Sequence, residues 1–266
     1  MNVSTARQMV QAIDRVARRL ELLREEAWVR DREARFLYVN GPFARFFDAS
    51  RSTLKGRRDV DLFSGAEVRA FRRDDARCVA ASAARFFPED DPGGVAHQTL
   101  KLPLSLASGE TVGVVGIAFS APRRRPGSEA PRWLERVRSE VAEGFAGGVS
   151  IRRLAARAGV HPDHLARSFR HHYGEGVHAL VRRLRIQWSC WALLERPGRR
   201  LDLLAVDAGF SDQSHFTREF RRVRGTTPGA FRDRCRDATL EAGGSSPVRL
   251  SAAGDAGAGR SRTRAR

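Results

Sequence analysis

Two short segments about fifty residues apart carry the side chains best suited to recognition chemistry. The first holds Asp163, His164, Arg167 and Arg170; the second holds Asp212, Gln213, Ser214, His215, Arg218, Arg221 and Arg222. A guanidinium is a planar fork of donors that meets two acceptors at once, as on a guanine edge or a phosphate. The amide of Gln213 offers one donor and one acceptor, the pattern adenine presents. Ser214 and His215 can reach base edges or phosphate oxygens, and Asp163 can accept from cytosine or favour the positive end of a helix. Arg167 and Arg218 hold equivalent places, each midway in an i, i+4 apolar pair, Leu165 with Phe169 and Phe216 with Phe220. Such pairs turn inward and leave the polar residues between them facing out. Arg170, Arg182, Arg183, Arg221 and Arg222 read as phosphate contacts or a solvated face. Ala166, beside Arg167, offers only a methyl group for a thymine methyl.

The elements that must position these residues can be read from periodicity and punctuation. Arg132 to Glu143 carries Trp133, Leu134, Val137 and Val141 on one side. Ser150 can cap a helix over Ile151 to Ala158, Gly159-Val160 turns the chain, and a further helix runs from Pro162 to His172 with proline in its first turn. Val177 to Leu194 is one long apolar helix, ended by Pro197-Gly198. The pattern then repeats: a short helix over Arg200 to Ala208, a turn at Gly209-Phe210, and a helix from Ser211 to Val223. A glycine at each corner permits positive φ, which a tight helix–helix corner needs. This is helix–turn–helix grammar, used twice.

Charge points the same way. The 266 residues hold 48 basic and 31 acidic side chains, a formal net charge of +17, and only Lys55 and Lys101 are lysines. Residues 132–236 carry 21 basic against 11 acidic residues, the densest excess in the chain. A polyanion is the expected partner. Arginine dominance fits phosphate and guanine recognition, and fits a GC-rich genome equally. No apolar run reaches the ~18 residues of a bilayer span, and the first residues lack the apolar core of a secretory signal. Neither a membrane nor export is therefore expected. Cys78, Cys190 and Cys235 form no disulfide framework and no zinc pattern, which suits a reducing cytoplasm. His161, His164 and His172 do not share a helix face at ligand spacing, so no metal is expected. No GxSxG, phosphate-cradling glycine loop or HExxH is present, and neither enzyme nor cofactor is expected. A non-specific architectural nucleic-acid-binding protein is the rival reading on charge alone.

Residues 1–27 read as one helix, with Val10, Ile13, Val16, Leu20 and Leu23 at spacings of three and four; it could flank the next domain or pair as a coiled coil. Residues 28–120 mix strands and helices: a hairpin of Trp28–Asp31 and Arg35–Asn40, helices over Pro42–Phe47 and Ala66–Ala81, then strands His97–Pro103 and Thr111–Phe119. Asp74 and Asp75 read as a solvated helix surface, and His97 as a partly exposed strand residue. Residues 121–131, with three prolines, read as a linker, and 237–266 as a disordered tail. The order resembles a PAS domain, carried by Val29-Arg30-Asp31, Arg35 to Asn40 with Phe43, Leu54 to Arg57, Asp59 to Phe63, Asp74-Asp75, Lys101 to Leu104 and Val114 to Ala118. That resemblance implies an α/β sensor with a five-stranded antiparallel sheet, open to a small-molecule ligand of unknown identity or to homodimer formation. It does not imply flavin photochemistry, because the signature cysteine motif is missing.

Residues 132–236 resemble the DNA-binding domain of AraC/XylS-family transcription regulators. The second unit carries Leu204 to Phe210, Ser214 to Arg222 and Gly225 to Arg232; the first carries Leu154 to Gly159, His164 to Phe169 and Tyr173-Gly174. The resemblance implies two recognition helices in successive major grooves of promoter DNA, with RNA polymerase as a partner and a cytoplasmic, nucleoid-associated location. The expected fold class is α+β: a PAS-like α/β sensor domain, then an all-α domain of two helix–turn–helix units joined by a long helix.

Overall fold

A computed structural model describes residues 3–90, 96–106, 108–122 and 130–240. Most of the proline-rich segment expected as a linker, at 123–129, and the tail beyond 240 lie outside the described residues. The chain opens with α1 (Val3–Leu20), then β1 (Glu26–Asp31) and β2 (Phe36–Val39). Three helices follow, α2 (Gly41–Phe46), α3 (Arg51–Leu54) and α4 (Gly65–Ala81), and then β3 (Arg85–Asp90), β4 (Ala96–Ser105) and β5 (Thr111–Ser120). The remainder is helical: α5 (Arg132–Gly144), α6 (Ile151–Ala158), α7 (Pro162–Tyr173), α8 (Val177–Glu195), α9 (Leu201–Asp207), α10 (Gln213–Arg224) and α11 (Pro228–Leu240). None of the helices described is long and apolar enough to cross a membrane.

The five strands form one antiparallel sheet in the order β2-β1-β5-β4-β3. The sequence reading found four of them. β3 escaped because Pro88 interrupts it, and proline cannot donate to a ladder. It is accommodated because β3 lies at the sheet edge, where Pro88 sits opposite Gln98. β5 reads as a continuous apolar run because it is central and covered on both faces.

The two-residue period of β1 sorts its side chains. Trp28 joins Phe36, Phe43, Leu54 and Ala118 in a small core under α2 and α3. Ala27 and Val29 face the other way, into a larger core that runs from Val16 and Leu20 of α1 through Phe86, Leu100 and Ile117 of the sheet. That core continues without a break into Phe145, Leu165, Trp191 and Phe220 of the helical half. α1 packs on β1, β2 and α11, so it is a flanking helix that also bridges the two halves. α8 lies at the centre of the helical half and is buried over most of its length, which is why its pattern is apolar nearly all round.

Two expectations for the front half need correction. Asp75 is not a solvated surface residue: it lies 2.6 Å from Arg30 and 2.9 Å from Lys101, and Lys101 is fully buried. Lys101 also lies 2.9 Å from Glu89, and Arg30 lies 3.7 Å from buried Asp59. Burial opposes the Lys101 charge, but Glu89 and Asp75 hold its pKa above the ordinary lysine value. Asp74 is mostly covered as well, and burial pushes its carboxyl up. A cation inside a sheet must be paired, so the helix carboxylates turn inward to meet it. His97 is buried, not partly exposed, because β4 is paired on both sides and His97 sits between Glu89 and Ser120. At the far end, α11 runs to Leu240, past the point at 237 where the tail was expected to begin.

Candidate nucleic-acid interface

The first helix–turn–helix unit is built from α6 and α7. Ser150 caps α6 by accepting from the Arg153 amide at 3.4 Å. Gly159 then takes a left-handed conformation at φ +67°, and α7 opens with Pro162 in its first turn. Leu154, Ala155, Leu165, Phe169 and Tyr173 pack inward. Asp163, His164, Arg167 and Arg170 are left exposed on α7. His164 also stacks on Trp133 of α5, with ring centroids 5.7 Å apart, so it is held rather than free to swing.

The second unit repeats the design with α9 and α10. Gly209 has φ +84°. α10 begins two residues later than the periodicity suggested, because Asp212 rather than an earlier residue is the cap: its carboxylate accepts from the His215 amide at 2.7 Å. That bond, with one from the Ser211 hydroxyl, holds the Asp212 carboxyl below its ordinary pKa. Asp212 therefore has a structural task at the helix start. Phe216 and Phe220 are fully buried and continue a ring stack from Phe210 to Phe231. Gln213, Ser214, Arg218, Arg221 and Arg222 line one open groove together with Thr217 and Thr227, two residues the sequence reading did not single out. His215 is half-buried, its ring beside Phe210 and within 3.3 Å of the Ser211 hydroxyl.

The arginines on this face differ. Arg222 donates to Glu219 at 3.1 and 2.8 Å, and Glu219 also lies 3.6 Å from Arg182 of α8. Burial would raise the Glu219 carboxyl, but Arg222 and Arg182 keep it below its ordinary value. Arg167 and Arg218 make no ion pair among the described residues, which leaves their forks open for a ligand.

One residue that holds this arrangement was invisible in the sequence. Arg185 of α8 donates from Nε to the Phe145 carbonyl at 2.8 Å, from Nη2 to the Gly147 carbonyl at 3.1 Å, and from Nη1 to the Gly209 carbonyl. It thus ties the end of α5, the loop before α6 and the corner of the second unit to one side chain. The available signal was weak: Arg185 stands between the apolar Leu184 and Ile186, but Arg182 and Arg183 on the same helix look no different in the sequence.

A second feature lies on the other face of the sheet. A cavity of about 50 Å³ is lined mainly by aromatic rings, among them Trp28, Phe43, Phe47, Phe63 and Phe71, with Arg30, Glu89 and Thr99 at its polar end. The Trp28 indole N–H and the Arg30 Nε–H are buried there with no hydrogen-bond acceptor among the described residues.

Residues 154–234 match a family profile described as a helix-turn-helix domain, and residues 24–125 match one described as a PAS fold. PqrA, a probable transcription factor of Proteus vulgaris, is 35% identical over 86 residues, which cover 32% of this chain and 70% of that protein. The chain belongs to the AraC family of transcriptional regulators. The HTH-type transcriptional regulator GlxA of Rhizobium meliloti is 37% identical over 81 residues, and this AraC-family chain spans only 25% of that protein's length. Among solved structures, a probable AraC family regulator from Rhodopseudomonas palustris is 22% identical, with a TM-score of 0.37, over 40% of this chain and 98% of that one. The DNA-binding domain of the global transcriptional factor AdpA, solved with a target DNA, is 25% identical, with a TM-score of 0.37, over 43% of this chain and 99% of that one.

Proposed function

We propose that the protein binds specific promoter sequences in duplex DNA, with α7 and α10 in successive major grooves on one face. Arg167 and Arg218 read guanine, Gln213 reads adenine, and Ser214 and His215 reach a base edge or phosphate. Asp163 sets the first turn of α7 or accepts from cytosine. Arg170, Arg221 and Arg222 meet phosphates, with Asp212 holding the start of α10 against the backbone. The observation that carries this reading is the open groove along α10, where a glutamine, a serine and three arginines converge on one exposed helix face. RNA polymerase is the partner such a promoter-bound regulator addresses, and the work is done on the nucleoid, with no catalytic step.

Binding-site selection followed by footprinting tests the reading. Two unlike boxes about one helical turn apart are expected, arranged directly and not as a palindrome, because the two recognition helices differ. A steep salt dependence with no sequence preference would instead mark an architectural DNA-binding protein.

The front half is proposed as the sensing part. Its aromatic cavity is about a third of the roughly 150 Å³ that admits a benzene ring. A compact neutral ligand with one hydrogen-bond acceptor, facing the free N–H groups of Trp28 and Arg30, fits that lining. Protein-detected binding of small neutral carbonyl compounds, lost in Trp28→Phe, is the corresponding test.

A further inference from the structure

The front half meets the end of the second recognition helix through a buried ion pair. Glu25, in the corner between α1 and β1, forms a two-pronged ion pair with Arg224, the last residue of α10. The Nη2 to Oε2 distance is 3.2 Å, and both side chains are largely buried, at 15% and 13% exposure. Arg224 also lies over the Phe231 ring at 5.8 Å, which fixes its plane. The pair closes one wall of an interdomain cleft that Phe119 and Ser120 of β5 and Gln187 of α8 also line.

Glu25 is itself held. The Asn40 side chain, fully buried, donates to the Glu25 carbonyl at 2.8 Å and the Leu20 carbonyl at 3.2 Å, and accepts from the Ala27 amide at 3.0 Å. The same Asn40 oxygen caps α2 by accepting from Phe43, a ring of the aromatic cavity. The other recognition helix is braced separately. β3 packs on α5 through Phe86 and Phe145, with ring centroids 5.3 Å apart, and α5 packs on α6 and α7. One sheet domain therefore grips both units, in addition to the α8 connection between them. The reading faces of α7 and α10 stay exposed, so the grip does not block DNA.

We infer that Glu25 is a positioning residue for DNA recognition: through Arg224 it sets the register of α10 relative to α7, and with it the spacing between boxes that the protein accepts. This inference rests on the proposed DNA-binding function. Two independent groove-reading helices would tolerate variable spacing, whereas two helices clamped to one sheet demand a single value. Asn40 transmits any movement of the cavity helix to the same corner.

The test uses the full chain and the DNA site selected by the wild-type protein, together with versions of that site lengthened or shortened by one base pair between the boxes. Glu25→Gln and Arg224→Met are each expected to lower affinity for the selected site about tenfold and to erase discrimination against the altered spacings. The double variant should be no worse than the weaker single variant, because both remove one contact. Glu25→Asp, which keeps the charge but shortens the reach, guards against misfolding of Glu25→Gln and should relax spacing in the same way. Wild-type spacing preference in Glu25→Gln or Glu25→Asp overturns the inference. Additive losses, with a smaller salt slope in Arg224→Met alone, overturn it too, since Arg224 would then be a phosphate contact. A wild-type protein without any sequence preference would fail the proposed function instead.

Discussion

Gly159→Ala and Gly209→Ala are the same chemical change at the matching corner of two similar units, and the structure separates their costs. Both glycines are left-handed, at φ +67° and +84°. A residue with a Cβ pays about 1–2 kcal/mol for that conformation. At Gly159 nothing lies within 4 Å of the added carbon, so this backbone term is the whole cost. At Gly209 the new carbon would lie 2.3 Å from the Ala146 carbonyl oxygen and 2.9 Å from Arg185 Cζ. Backbone must move, and Arg185 must retreat from carbonyls that it holds on three segments. Weakening even one such charge-assisted bond adds about 1.5–3 kcal/mol. The expected total at Gly209 is about 3–5 kcal/mol, a large share of the 5–15 kcal/mol typical of a whole fold. For a chain of this size each kcal/mol moves Tm by about 2–4 °C. Thermal unfolding of the full chain should therefore show a fall of about 2–8 °C for Gly159→Ala and about 6–20 °C for Gly209→Ala. Sequence-specific binding should weaken only in the second, with salt-sensitive binding retained. Equal Tm values for the two variants would refute the packing argument at Gly209.

Other consequences can be measured in the same way. Lys101→Met should destabilise the front domain by about 3–5 kcal/mol by leaving Asp75 and Glu89 without their buried cation; chemical denaturation reads this directly, and a cost below about 1 kcal/mol would deny the network its role. The depressed Asp212 carboxyl contributes stability that is complete above its unfolded value of about 3.9 and is lost as pH falls through its lower folded value. Asp212→Asn keeps an acceptor but cannot titrate, so its melting temperature should fall less than that of the wild type between about pH 6 and pH 3; parallel curves would contradict the cap assignment. Arg218→Ala should cost about 1–3 kcal/mol at one base pair only, whereas Arg222→Ala should weaken all sequences alike and lower the salt slope by about one; uniform losses in both would reverse the assigned roles.

What could be read from the sequence was the locally encoded part. Leu165 with Phe169, Phe216 with Phe220, and the corner glycines each depend on neighbours within one turn, so spacing alone exposes them. The start of α10 was less certain because Ser211 and Asp212 are both good caps, and only the geometry at His215 selects Asp212. β3 was hidden by Pro88, whose tolerance depends on an edge position that no local pattern states. Arg185, Glu25 and the Lys101 network were unreadable for a common reason. Their partners lie between 12 and 199 residues away in the chain, and the sign of a charge does not say which distant group will neutralise it.

The burial of Lys101 has a practical corollary in amine chemistry. Apart from it, Lys55 is the chain's sole lysine, and it sits exposed at the end of α3. In the folded protein a lysine-directed dye has one side-chain target, which makes Lys55 a ready site for a side-chain fluorophore without engineered cysteines. Lys101 becomes reactive only when the sheet parts from α4. The slow appearance of a second label then times that opening event, and a ligand that fills the neighbouring cavity should lengthen the delay.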